Sequence, residues 1–248
     1  MRVFERRARR AEPFVPLQQR SAGQSLRMRL FDLAPSSFVG ITLSCSACVL
    51  ASLHAAAPTL LPYALAAMGL WGAALFGPAL MQMTRLAKGA QAEAHVGRFL
   101  DTLVRRGAYV LHDVCGDGFN IDHVVIAPSG VFVIETKWVS KARQHGRQVI
   151  ACRNGVLTRN GRIMRGDALG QVTRATEEVR RMTRALGYTP VLQPVLVFPG
   201  WWTRSEGPVW VLNERAALRW IARAPAVMSA GEARRLYLAL RMPAVAAA

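Results

Sequence analysis

From Leu33 to Thr84 the chain contains no Asp, Glu, Lys or Arg. This run of 52 residues constrains the fold more than any other feature. A helix that crosses a bilayer needs about 20 apolar residues, so two spans and a short turn fit: roughly 37 to 57 and 63 to 83, broken by Pro58 and Pro62. Flanking cations orient such a hairpin. Residues 1 to 36 carry eight Arg against three acids, Arg85 and Lys88 follow the second stretch, and the connection around His54 has no Lys or Arg. The expectation is a multi-pass anchor in the inner (cytoplasmic) membrane with both termini cytoplasmic: a basic tail over 1–36, a two-helix hairpin over 37–84 and a soluble domain over 85–248. Ala55-Ala56-Ala57 offers a signal-peptide cleavage site, but the 36-residue lead and the second apolar span argue against one.

After Thr84 the pattern changes to alternating helix and strand. Residues 89 to 106 read as a helix with Val96, Leu100, Leu103 and Val104 on one stripe and Gly107 as its stop. Tyr109 to Val114 is a short strand, and Cys115-Gly116-Asp117-Gly118 is a turn. Residues 149 to 163 form strands around Asn154-Gly155 and Asn160-Gly161. Asp167 caps a helix that runs to Leu186. A buried strand from Val191 to Phe198, a strand from Val209 to Leu212 and a helix from Glu214 to about Ala222 complete the pattern.

Within this domain FNIDHVVIAPSGVFVIETKW, residues 119 to 138, is built to be buried yet carries Asp122, Glu135 and Lys137. Charges in a core need a partner or a task. Ala127-Pro128-Ser129-Gly130 has tight-turn chemistry, so the stretch reads as an antiparallel hairpin. If Ala127 pairs with Gly130, then Val124 meets Val133, Asp122 meets Glu135 and Asn120 meets Lys137. Two carboxylates face to face repel unless a cation lies between them. A slip of one residue would part them. A solvated Glu-x-Lys ion pair is the plain alternative to a metal site. Only three of the 32 basic residues are Lys, and Lys, unlike Arg, can shed its proton when buried. Glu93 projects onto the buried stripe of the first helix, where a helix-start Glu favoured by the dipole is the competing account.

The formal net charge of +17 points to anionic partners, nucleic acid or acidic lipid. Between Glu135 and Asp167 there is no acid, while Lys137, Lys141, Arg143, Arg147, Arg153, Arg159, Arg162 and Arg165 all fall there. The stripe from Lys141 onward suits a phosphate backbone; a solvated or lipid-facing surface is the alternative. Cys45-x-x-Cys48 resembles a redox spacing but lies in an apolar run, where small-residue packing is the plainer account; Cys115 and Cys152 have no metal-ligand spacing, so neither a disulfide framework nor a zinc site is expected, and no Gly-rich phosphate loop is present.

Residues 88 to about 200 resemble the nuclease-related domain, NERD. The resemblance rests on the Glu93 helix, Asn120-Ile121-Asp122-His123, Ile134-Glu135-Thr136-Lys137, Gln171 at the start of the later helix, and the strand from Pro194 to Phe198, in that order and spacing. NERD looks like part of the PD-(D/E)xK restriction-endonuclease-like superfamily, which implies an α/β fold, a central mixed β-sheet flanked by helices, here preceded by the two membrane helices. Ile121 stands where the superfamily name has Pro, and Ala92 where a Gly often precedes the helix Glu.

By that resemblance Asp122 and Glu135 would hold Mg²⁺ or Mn²⁺, Lys137 would position or activate water, Glu93 would support the metal, and Gln171 would orient a catalytic group or touch substrate. The expected function is a membrane-anchored, metal-dependent nuclease with nucleic acid as partner, DNA ahead of RNA, and membrane lipid as a second partner. A non-catalytic, membrane-tethered nucleic-acid-binding module and a membrane protein whose basic face meets lipid are the competing readings. Oligomeric state stays open.

Overall fold

The computed structural model describes residues 21–53, 61–141 and 148–241. Two long helices come first, α1 (Gln24–Leu53) and α2 (Leu61–Asp101). A 3-10 turn over Thr102–Arg106 follows and stops at Gly107, whose φ of 82° puts it in the left-handed region. Then come β1 (Tyr109–Cys115), β2 (Asn120–Ala127), β3 (Gly130–Thr136), β4 (Val149–Arg153), β5 (Val156–Arg159) and β6 (Arg162–Ile163). The remainder is α3 (Ala168–Ala185), β7 (Leu192–Val197), β8 (Trp202–Ser205), β9 (Trp210–Leu212), α4 (Glu214–Arg223) and α5 (Ala230–Arg241). Asp167 caps α3 as expected, its side chain accepting from the Gly170 N–H.

The main sheet has the order β1-β2-β3-β7-β9. β1, β2 and β3 are antiparallel, and β3, β7 and β9 are parallel, so the sheet is mixed and flanked by helices as expected. Alternation along the strands divides two cores between its faces. Val125, Phe132, Ile134, Val195 and Val197 pack with Val96 and Leu100 of α2 and Ile221 of α4. Val124, Ile126, Val131 and Val133 pack with Ala175 and Val179 of α3 and Leu236 of α5. Burying a side chain such as Ile134 contributes about 1.5–3 kcal/mol, and Ile134→Ala would cost about 2–5 kcal/mol once the cavity is included. A smaller sheet, β6-β5-β4-β8, sits over Leu196, Phe198, Trp201 and Val211 through Ile150, Cys152 and Leu157.

The membrane expectation is corrected. Among the described residues no helix is long and apolar enough to cross a membrane. Length is not the shortfall, since α1 has 30 residues and α2 has 41. The uncharged run is rich in Ala, Gly, Ser and Thr, which contribute far less transfer free energy than Leu, Ile, Phe or Val. Both helices also extend into charged sequence, α1 from Arg27 and Arg29, and α2 through Arg85, Lys88 and Glu93. The multi-pass inner-membrane location falls with the spans. The expected basic tail as far as residue 20 and the turn over 54–60 lie outside the described residues.

Instead of standing apart, α1 docks onto the domain at its start. Gly23 has φ of +73°, and a Cβ there would lie 2.9 Å from the Ala90 carbonyl oxygen of α2. A Cβ on Gly97 would lie 2.9 Å from the Ala22 Cβ. Only glycine allows this backbone approach. It carries the first turns of α1 over the end of the main sheet.

Candidate functional site

The β2–β3 ladder runs from Ala127 opposite Gly130 to His123 opposite Ile134, in the register that the Pro-Ser-Gly turn predicts. The backbone ladder ends there. One step further, where a β2 carbonyl would accept the next N–H of β3, the Asp122 carboxylate takes its place: Oδ2 accepts the Thr136 N–H at 2.6 Å. Asp122 and Glu135 are thus brought together at the end of the hairpin away from its turn. Lys137 continues the line, its N–H donating to the Val197 carbonyl at 2.8 Å and its Nζ lying 2.5 Å from Glu135 Oε1.

The β1–β2 ladder explains how Asp122 leaves the core. It pairs His112 with His123 and Val114 with Ile121, but passes over Asp113 and Asp122. Asp113 has φ of 50°, in the left-handed region. On either side of this interruption the strands change face, because Leu111 and Val114, and likewise Ile121 and Val124, share one core layer although each pair is three residues apart. Strict alternation would place the members of each pair on opposite faces.

Asp113 is a buried carboxylate that sequence reasoning missed. Its Oδ2 accepts the Ser25 N–H in the first turn of α1 at 2.9 Å, and its Oδ1 accepts from Asn120 Nδ2 at 3.0 Å. Asn120 therefore serves Asp113 and not Lys137, its expected partner. The helix start of α1 favours the negative charge of Asp113.

Glu93, on α2, completes a crowded group. Burial pushes its carboxyl up to about 7, Asp113 and Glu135 push the same way, and Lys137 opposes them. Burial also drives Asp122 well above the ordinary carboxylate range, reinforced by Glu135 and then Glu93, against the Thr136 N–H and Lys137. Within this group the carboxyls outnumber the Lys137 ammonium that opposes the shifts. Beside them the buried Thr136 Oγ1 has no hydrogen-bond partner among the described residues. Among the described residues, no three His, Cys, Asp or Glu side chains form a ready-made metal-binding group.

Glu93, Asp122, Glu135, Thr136 and Lys137 line one open cleft of ≈ 940 Å³. Arg29, Arg85, Lys88, Phe119 and Trp138 line it too. Sequence reasoning missed Arg29 and Ser25, because only the docking of α1 brings them there.

The remaining expected site residues that the structure describes lie outside this cleft. Gln171 is exposed in the first turn of α3 and is not part of the cleft lining. Arg153, Arg159 and Arg162 are exposed on the small sheet, and Arg165 is exposed just beyond it. Arg153 is already engaged by Glu206 through its Nε and a second nitrogen. Lys141 lies near Gly200 and lines a neighbouring cleft. Arg143 and Arg147 lie outside the described residues.

Residues 88–199 match the family described as NERD, nuclease-related domain. An uncharacterized protein of Bacillus anthracis is 49% identical over 55 residues, which cover 20% of this chain and 26% of the relative. The chain thus matches about a quarter of that relative's length. No solved structure matches.

Proposed function

We propose that the segment matching the nuclease-related domain, residues 88–199, hydrolyses nucleic-acid phosphodiesters with Mg²⁺ or Mn²⁺, DNA being the first substrate to test. The observation that carries this reading is the crowding of Asp122, Glu135 and Glu93 at one end of a hairpin, in an open cleft, with Lys137 as their nearby cation.

The donor set fits a hard divalent cation. Asp122 and Glu135 offer carboxylate oxygens, which suit Mg²⁺ or Mn²⁺ over zinc, and water and substrate phosphate would complete the shell. When bound, such a cation lowers the pKa of a water and draws charge from the phosphoryl group. The other parts belong to the chain. Lys137, held by its N–H to Val197 and by Glu135, presents an ammonium to the developing charge. Glu93, with its carboxyl near 7, can take up or release a proton at neutral pH. Arg29, Arg85 and Lys88 supply positive charge along the cleft for a phosphate backbone.

A specific observation favours a second reading. Asp122 already accepts from Thr136, and Glu135 from Lys137. A non-catalytic nucleic-acid-binding module would need no more. A cleavage assay separates the two. The purified chain is incubated with labelled single- and double-stranded DNA and RNA in Mg²⁺, Mn²⁺ or EDTA. The nuclease reading expects metal-dependent cleavage that Asp122→Asn and Glu135→Gln abolish, with binding retained. Binding without cleavage under every metal condition would install the second reading.

A further inference from the structure

A second cleft, of ≈ 980 Å³, adjoins the carboxylate cleft. Arg27, His95, Arg98 and Lys141 line it, together with Glu214. Glu214 is turned inward: its Oε2 accepts the Gly200 N–H at 2.8 Å, and its Oε1 lies 3.9 Å from His95 Nε2. The charged side chains of this cleft that face solvent are cationic, since Arg27, Arg98 and Lys141 are all exposed. The first turns of α1 serve both clefts, with Arg29 in one and Arg27 in the other.

Trp138 lines both clefts and is 48% exposed. Its backbone is held on either side. The Lys137 N–H bonds to Val197, and the Val139 carbonyl accepts from the Trp201 indole at 3.0 Å. A large ring on a fixed support, left in solvent with cations to either side, has the features of a stacking platform for a planar ligand attached to a charged backbone.

We propose that this second cleft is a subsite for unpaired nucleotides next to the scissile phosphate, with Trp138 stacking on a base and Arg27, Arg98 and Lys141 contacting phosphates. The proposal rests on the nuclease reading and deepens it by naming the substrate class: single-stranded or frayed nucleic acid. In a duplex the faces of the bases are covered by their neighbours, so a stacking ring gains contact only with an unpaired base. Stacking is blind to the sugar, so DNA and RNA strands should both bind here.

The test measures binding alone, so its failure is distinguishable from failure of catalysis. Full-length Glu135→Gln protein in EDTA is titrated into a short fluorescein-labelled DNA strand, its blunt duplex and the matching RNA strand, with anisotropy and tryptophan quenching as readouts. The single strands should bind more tightly than the duplex. Trp138→Ala should weaken single-strand binding about tenfold or more and abolish most of the quenching, with duplex affinity little changed. Trp138→Phe should restore much of the loss. Arg98→Ala and Lys141→Ala should each lower the log–log salt slope for the single strand by about 0.7. Equal loss of duplex and single-strand affinity in Trp138→Ala would overturn the subsite, as would no loss at all or a parent protein that prefers the duplex. A chain that shows the expected binding but never cleaves would retain the subsite and lose the nuclease reading.

Discussion

Asp122 Oδ2 stands 2.6 Å from the Thr136 backbone nitrogen, at the step where the β2–β3 backbone ladder stops. One side chain therefore completes the sheet's hydrogen bonding and brings a carboxylate to the cleft. The two tasks separate by substitution. Asp122→Asn keeps an oxygen acceptor for Thr136, whereas Asp122→Ala leaves that N–H unpaired at a cost of about 1–3 kcal/mol. In EDTA the Asn variant should be the more stable of the two by that amount in urea denaturation, and both should be inactive. Equal stability would show that water replaces the carboxylate at Thr136.

The raised Glu93 carboxyl has a sign that can be worked out. Its folded value of about 7 lies above its ordinary 4.5, so the folded state holds a proton that the unfolded state has released. Its contribution is fully present below about pH 4.5 and is lost as pH rises through about 7. Asp122 is shifted in the same direction. Glu93→Gln should therefore make the slope of stability against pH more positive, by up to about 1.4 kcal/mol per pH unit between pH 5 and 6.5. Denaturation in EDTA at several pH values checks this; an unchanged slope would mean that Glu93 is solvated.

His123 predicts the opposite trend. It is fully buried, and burial, with His112 adding to it, lowers its pKa well below 6.5. Its contribution is present above about pH 6.5 and is lost as pH falls from there towards its folded pKa. His123→Asn should remove this acid-side loss. Comparing the pH slopes of that variant and the parent below pH 6 measures it, and parallel slopes would contradict a neutral His123.

Lys137→Arg retains a positive charge near Glu135 but replaces a compact ammonium with a planar fork that cannot release its proton. Activity should fall by about a hundredfold or more, while the melting temperature changes little. The parent chain should melt higher on adding Mn²⁺, and Asp122→Asn and Glu135→Gln should not respond. A metal-induced shift that survives both substitutions would place the cation elsewhere.

On the small sheet, Arg159 and Arg162 are exposed, whereas Arg153 is engaged by Glu206. If this face meets phosphates, Arg159→Ala and Arg162→Ala should each lower the salt slope of nucleic-acid binding by about 0.7–0.9. Arg153→Ala should lower it less. Slopes unaffected by all three changes would confine binding to the clefts.

The legible parts of the fold are those specified within a few residues. The Pro-Ser-Gly turn sets the hairpin register and so the meeting of Asp122 with Glu135, and Asp167 announces the start of α3. Asp113 was illegible because its bond to Ser25 depends on a segment 88 positions away. Arg29 was hidden for the same reason. The uncharged run misled in a different way: absence of charge resembles the signature of a membrane span, but among the described residues no helix is long and apolar enough to be one. Gln171 has the expected place on its helix, yet helix position alone does not bring a side chain to a cleft.

β9 covers the outer margin of β7, and it lies beyond residue 199, where the family match ends. So do α4 and α5, which shield the two faces of the main sheet. The stretch held in common with relatives is therefore shorter than the stretch that folds. A protein trimmed to the shared limits would present a raw strand margin beside uncovered Val195 and Val197, a template for pairing with its own copies. Such a fragment would be prone to aggregation, and its silence in an assay would say nothing about the chemistry of the intact chain.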